Sequence, residues 1–118
     1  MANILVVEDD ADLVYIYRTA LAQAGYSITM AQSGREARAA LDEAAPDLVY
    51  LDMSMPDQSG LDVIDYIHAD DRFENTKIVV VTADESWRRR IPTSRIARFL
   101  VKPVSIHDLV SLAKTLLG

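Results

Sequence analysis

Residues 77–82, Lys-Ile-Val-Val-Val-Thr, are β-branched without a break from Ile78 on, a run that would be apolar on both faces of a strand. A strand of that kind needs cover on both sides, which points to a parallel sheet lying between helices. Similar runs recur at 4–7 and 47–52, with weaker ones at 26–31 and 98–101. Helical patterns fill the intervals. Leu13, Ile16/Tyr17, Ala20/Leu21 and Ala24 share one face, and Gly25 stands where a left-handed helix stop belongs. Ser33 with Glu36 forms a capping box before Ala37, Ala40/Leu41 and Ala44, and Pro46 ends that helix. Leu61, Ile64 and Ile67 follow the turn-rich loop at 55–60. Ser105 with Asp108 opens a last helix carrying Leu109, Leu112/Ala113 and Leu116. Five strands alternating with helices predict an α/β, doubly wound parallel sheet.

At 118 residues there is room for one domain. The absence of cysteine excludes disulfides and thiolate metal sites. Met1-Ala2-Asn3 carries no basic side chain before the short apolar run, so it does not read as a signal peptide. No run is long enough to cross a bilayer, and a cytoplasmic location is expected. The net charge of −6 is unevenly spread: residues 1–87 carry 17 acids and five bases, residues 88–118 one acid and seven bases. An acidic bulk of −12 argues against general nucleic-acid binding.

In such sheets ligands bind beyond the carboxyl ends of the strands. Glu8, Asp9 and Asp10 follow the first strand, Asp52 ends the third, Thr82 ends the fourth, and Lys102-Pro103 follows the fifth. Core packing requires none of this convergence. Two carboxylates ~4 Å apart repel by roughly 4 kcal/mol at an effective dielectric near 20, so a divalent cation would gain by entering. Oxygen donors without His or Cys select a hard ion, and Mg2+ fits better than zinc or copper. An ammonium and a hydroxyl facing such a site suit a phosphoryl group, with Asp52 as the nucleophile.

The segments Val6-Val7-Glu8-Asp9-Asp10, Leu51-Asp52-Met53-Ser54-Met55-Pro56 with Gly60, Val81-Thr82-Ala83 and Val101-Lys102-Pro103 resemble the receiver domain of two-component response regulators. The likeness covers the chain in order and at nearly the family spacing. It implies a flavodoxin-like (βα)5 fold with strand order 2-1-3-4-5. It also implies Asp52 as phosphoacceptor from a histidine kinase or phosphotransfer protein, in a switch rather than an enzyme. Asp9 and Asp52 would ligate Mg2+, with Glu8 and the Ser54 carbonyl. Lys102 and Thr82 would bind the phosphoryl group, Thr82 and Phe99 would switch, and Ser54 and Asp84 would tune the phosphoryl lifetime. The Lys-Pro bond of the family is usually cis. Each residue also has a plainer reading. Asp9 or Asp10 caps the first helix, Phe99 is a core aromatic, and His68 and His107 are solvated or capping.

Two other classes fit less well. A phosphohydrolase of the haloacid-dehalogenase kind carries its nucleophile on the first strand, with a second acid two residues on, where this chain has Ser54. A flavodoxin-like cofactor binder would find Glu8-Asp9-Asp10 repelling its phosphate.

Between Thr82 and Lys102 the chain is slightly shorter than the family pattern and lacks the Ala-Gly-Ala turn. Pro92 ends any helix begun near Asp84, so a short or irregular fourth helix is expected. This departure argues against the family's common dimer geometry while leaving a homodimer among the expected partners. That region, the fifth strand and the last helix form the family's output face, for a partner the sequence does not name. The basic segment from Arg88 to Arg98 lies there. It reads either as a solvated surface or as a docking site for an acidic partner or another copy, with DNA contact a distant third. The last helix ends at Leu117-Gly118, so one receiver domain over 1–118 with no effector domain is expected. Met1 at the start favours a stand-alone chain over a trimmed one.

Overall fold

The computed structural model describes residues 1–55 and 60–118, so most of the loop expected at 55–60 lies outside the described residues. The elements are β1 (Asn3–Val7), α1 (Ala11–Gln23), β2 (Ser27–Ala31), α2 (Gly34–Glu43), β3 (Leu48–Leu51), α3 (Gly60–His68), β4 (Lys77–Thr82), β5 (Arg98–Val101) and α4 (Ile106–Leu117). All strand pairs are parallel, in the order β2-β1-β3-β4-β5. This is the expected flavodoxin-like doubly wound sheet. The crossover from β4 to β5 contains no α-helix. It is made of two 310 turns, Glu85–Arg89 and Thr93–Arg95, separated by Pro92, as the proline led one to expect.

Alternate residues of each central strand serve opposite faces. Ile4, Val6, Leu48, Tyr50, Val79 and Val81 pack with Tyr17 and Leu21 of α1 and with Leu109 and Ala113 of α4. Leu5, Val7, Val49, Leu51, Ile78 and Val80 pack with Ala37 and Leu41 of α2, Val63, Ile64 and Ile67 of α3, and Ile91 of the crossover. The doubly apolar runs are therefore covered by helices on both sides. Tyr50 keeps its phenol satisfied in the core by donating to the Leu109 carbonyl at 2.6 Å.

Local signals place the helix ends. Asp10 Oδ1 accepts from the amides of Asp12 and Leu13 and caps α1. Ser33 and Ser105 cap α2 and α4 through the amides of Glu36 and Asp108. Glu36 reaches back to the Gln32 amide rather than to Ser33. Gly25 follows α1 at φ 100°, a conformation that disfavours any side chain. Ile16, expected inward, is 43% exposed, because it sits about 100° around the helix from the Leu13-Tyr17-Leu21 stripe that faces the core. Ala44 was likewise expected on the core face of its helix. It is exposed because it is the extended residue that ends α2.

Tyr50→Phe is expected to cost about 1 kcal/mol through its lost hydrogen bond. Leu109→Ala, which leaves a cavity in the same core, should cost about 3 kcal/mol. Urea unfolding of both variants beside the parent chain checks the order and the gap.

Candidate active site

The acidic edge is built by strand register. Val7 pairs with Leu51, so the residues that follow, Glu8 and Asp52, emerge side by side. The Asp52 amide donates to the Val7 carbonyl at 3.0 Å, and the Glu8 amide donates to Ala31 at 2.9 Å, extending the ladders one residue past the strands. Thr82 pairs with Val101, and the Lys102 amide donates to the Thr82 carbonyl at 2.8 Å. Four strand ends thus deliver three acids, a hydroxyl and an ammonium to one place. The Lys102-Pro103 bond is cis.

Carboxylate oxygens of Glu8, Asp9 and Asp52 lie within 4.8 Å of one another. Glu8 and Asp52 are buried and Asp9 is exposed. Lys102 Nζ bonds Glu8 Oε1 at 2.6 Å and approaches Asp52 Oδ2 at 3.4 Å. The second oxygen of Glu8 accepts from the Asp10 amide at 3.2 Å, and Asp52 Oδ1 accepts from the Ser54 amide at 3.2 Å. Burial pushes the Glu8 carboxyl above its usual range, against the pull of the Lys102 bond and the Asp10 amide. Burial works against the Lys102 ammonium, but the Glu8 bond and the Asp52 charge outweigh it and hold its pKa above the ordinary value. Three carboxylates face one ammonium, a deficit of two positive charges. With only oxygen donors present, that deficit matches a hard divalent cation.

Thr82 is fully buried, and its Oγ1 accepts from the Asp84 amide at 3.3 Å, which leaves its own proton available. Asp84 is taken up by a local cap: its Oδ1 accepts from the Ser86 hydroxyl at 2.6 Å and the Ser86 amide at 3.0 Å, at the start of the 310 turn. Those bonds hold its carboxyl below the usual range. Ser54 is exposed beside Asp52. Phe99 lies on β5 opposite Val80, half-buried against the core, with the Arg88 guanidinium 4.5 Å over its ring. Asp10 acts as a helix cap. His68 Nε2 donates to the Arg95 carbonyl, 2.8 Å away, and His107 is exposed; among the described residues neither belongs to the acid cluster. Tyr17 was legible only as helix core, yet its phenol lies within electrostatic reach of the site. Burial pushes its pKa up, Lys102 pulls it down, and Glu8, Asp52 and Asp10 push it up. Only its helical turn relative to Glu8 could have hinted at this.

The model of the response regulator receiver domain matches residues 4–114. The chain belongs to that family. This receiver domain is 31% identical to the transcriptional regulatory protein TrcR of Mycobacterium tuberculosis over 98% of its length, but spans only 45% of TrcR. It is 28% identical to the polar-differentiation response regulator DivK of Brucella anthropi, over 98% of the chain and 96% of DivK. Among solved structures, the response regulator protein TrrA of Thermotoga maritima, in complex with Mg2+-BeF, is similar at 31% identity. The TM-score is 0.87, over 98% of this chain and 99% of that one. Among the described residues, no helix is long and apolar enough to cross a membrane.

The charge balance of the receiver site makes opposite predictions for two variants. Asp9→Asn relieves repulsion and should raise the thermal midpoint in buffer free of divalent ions. Lys102→Met strands Glu8 and Asp52 and should lower stability by about 2 kcal/mol. Calorimetry or circular dichroism melts of both read the two signs.

Proposed function

We propose that this receiver domain is a phosphoacceptor switch of a two-component system in which Asp52 takes a phosphoryl group from the phosphohistidine of a sensor kinase or phosphotransfer protein. The observation that carries the reading is the meeting of Glu8, Asp9 and Asp52 with Lys102 at the carboxyl edge of the sheet. A carboxylate oxygen of Asp52 attacks phosphorus, the N–P bond breaks, and the histidine nitrogen keeps the electron pair. The product is an acyl phosphate, whose added charge this chain must satisfy.

Glu8, Asp9 and Asp52, with the Ser54 carbonyl, are the groups that would hold Mg2+, and TrrA, bound to Mg2+-BeF, supports the assignment. When bound, the ion supplies positive charge that screens the acids and orients the phosphoryl oxygens. Lys102 supplies the remaining positive charge, and its ammonium must loosen from Glu8 to reach a phosphoryl oxygen. Thr82, whose hydroxyl proton is free, donates to another. Its movement toward the phosphoryl group, with Phe99 following on β5, biases an existing equilibrium of the crossover and β5 face. Ser54 and Asp84 flank the group and set its lifetime. Asp84 must first release Ser86 to do so. The chain assists its own phosphorylation and slow dephosphorylation, works in the cytoplasm, and signals by binding a partner rather than by turning over a substrate.

Intact-protein mass after incubation with a small phosphodonor tests this. One phosphoryl adduct is expected with Mg2+, and none without it or in Asp52→Asn. Mg2+ alone should also raise the thermal midpoint of the parent more than that of Asp9→Asn, because only the folded state offers the full set of acids. No adduct under any condition would overturn the reading.

A further inference from the structure

Five arginines lie within 88–98 on a chain whose remaining charge is acidic, and the switch chemistry uses none of them. Among the described residues, Arg95 is paired with Asp65 at 2.7 Å and Arg88 reaches Glu85 only at 3.9 Å, both on the surface. Arg89, Arg90 and Arg98 enter no ion pair with a described carboxylate. Two of the five are held in place by aromatic faces: Arg88 lies 4.5 Å over Phe99 and Arg90 4.2 Å over Trp87. A guanidinium stacked on a ring keeps its in-plane N–H donors pointing outward, the geometry that grips a carboxylate with two bonds.

Two of these arginines, Arg88 and Arg98, line a cavity of about 250 Å³ whose apolar walls are Ile91, Ile96, Ala97 and Phe99. It lies beside β5, the edge strand of the sheet, and Arg88 is shared with a shallower concavity lined by Glu85, Ser86 and Arg89. The volume is below the roughly 300–1,000 Å³ of small-molecule sites and suits one large apolar side chain. We infer that this surface docks a short acidic segment of a partner protein, with one aliphatic or aromatic side chain seated against Ile91, Ile96 and Phe99 and flanking carboxylates on Arg88, Arg89 and Arg98.

Other occupants fit worse. Patch-on-patch pairing of two copies would set arginines against arginines, and pairing the patch with the acidic body of a second copy is head-to-tail, which builds rings or open chains. Duplex DNA would meet the −12 carried by residues 1–87. The inference stands on the fourth crossover and β5, and its test is made on the unphosphorylated chain, so that its failure and that of the phosphoacceptor reading are told apart.

A random peptide library selected on the immobilised chain, and counter-selected on Arg88→Ala/Arg89→Ala/Arg98→Ala, tests it. Enriched peptides should carry clustered Asp or Glu around one large apolar residue. A labelled synthetic copy of the leading peptide, followed by fluorescence anisotropy, should bind the triple variant roughly tenfold more weakly or worse. Replacing its apolar residue by Ser, or raising salt from about 50 to about 300 mM, should each weaken binding severalfold. Melting curves establish that the triple variant is folded, and Arg98→Glu alone serves if it is not. Three results would overturn the inference: no enrichment over the counter-selected bait, enriched peptides without net negative charge, or tighter binding of a short DNA duplex than of the peptide. Sedimentation showing that the parent self-associates through these arginines would do the same.

Discussion

Parallel pairing of β1 with β3 sets Val7 against Leu51 and therefore brings Glu8 beside Asp52, two buried carboxylates that repel. A single ammonium, Lys102, joins them from the far side of β4, across a backbone bond to Thr82. Slipping either strand by one residue would turn these side chains to the opposite face of the sheet. The site is thus a property of register before it is a property of residue choice. The two apolar layers that lock that register, on either face, matter to the chemistry as much as the acids do.

Charge concentration of this sort lowers stability, and the fold offsets it nearby. Each buried carboxylate also accepts a backbone amide, Asp10 to Glu8 and Ser54 to Asp52, and the Asp10 side chain itself caps α1. Gly60 shows how tightly the neighbourhood is packed: a Cβ there would lie 2.6 Å from the sulfur and 3.1 Å from the Cα of Met53, the residue after Asp52. The start of α3 therefore leans directly on the segment that carries Asp52.

Much of the fold and of the site is legible in the residues alone, for reasons that differ by element. The runs at 4–7, 47–52 and 77–82 announce themselves because the interior of a doubly buried strand needs apolar residues on both faces. Ser33, Ser105 and Gly25 mark helix ends because capping is local chemistry. The strand-end acids, Thr82 and Lys102 follow from the rule that ligands gather at carboxyl ends. What stays hidden depends on distant packing. Ile16 turns outward because the core stripe runs through Tyr17, and Tyr17 reaches toward the acids only once α1 lies on the sheet. The partnership of Asp84 with Ser86, and the stacking of Arg88 on Phe99, require knowing that the crossover forms 310 turns rather than a helix.

That crossover also places the chain's single tryptophan. Trp87 is half-buried against the core under the Arg90 guanidinium, between the strand that ends in Thr82 and the strand that leads to Lys102. Its emission is a local optical signal, coloured by the Arg90 cation and by packing on the core. A titration or unfolding curve recorded through it reports the fraying of this segment. Set beside a backbone signal from the helices, it distinguishes motion of the crossover from melting of the sheet.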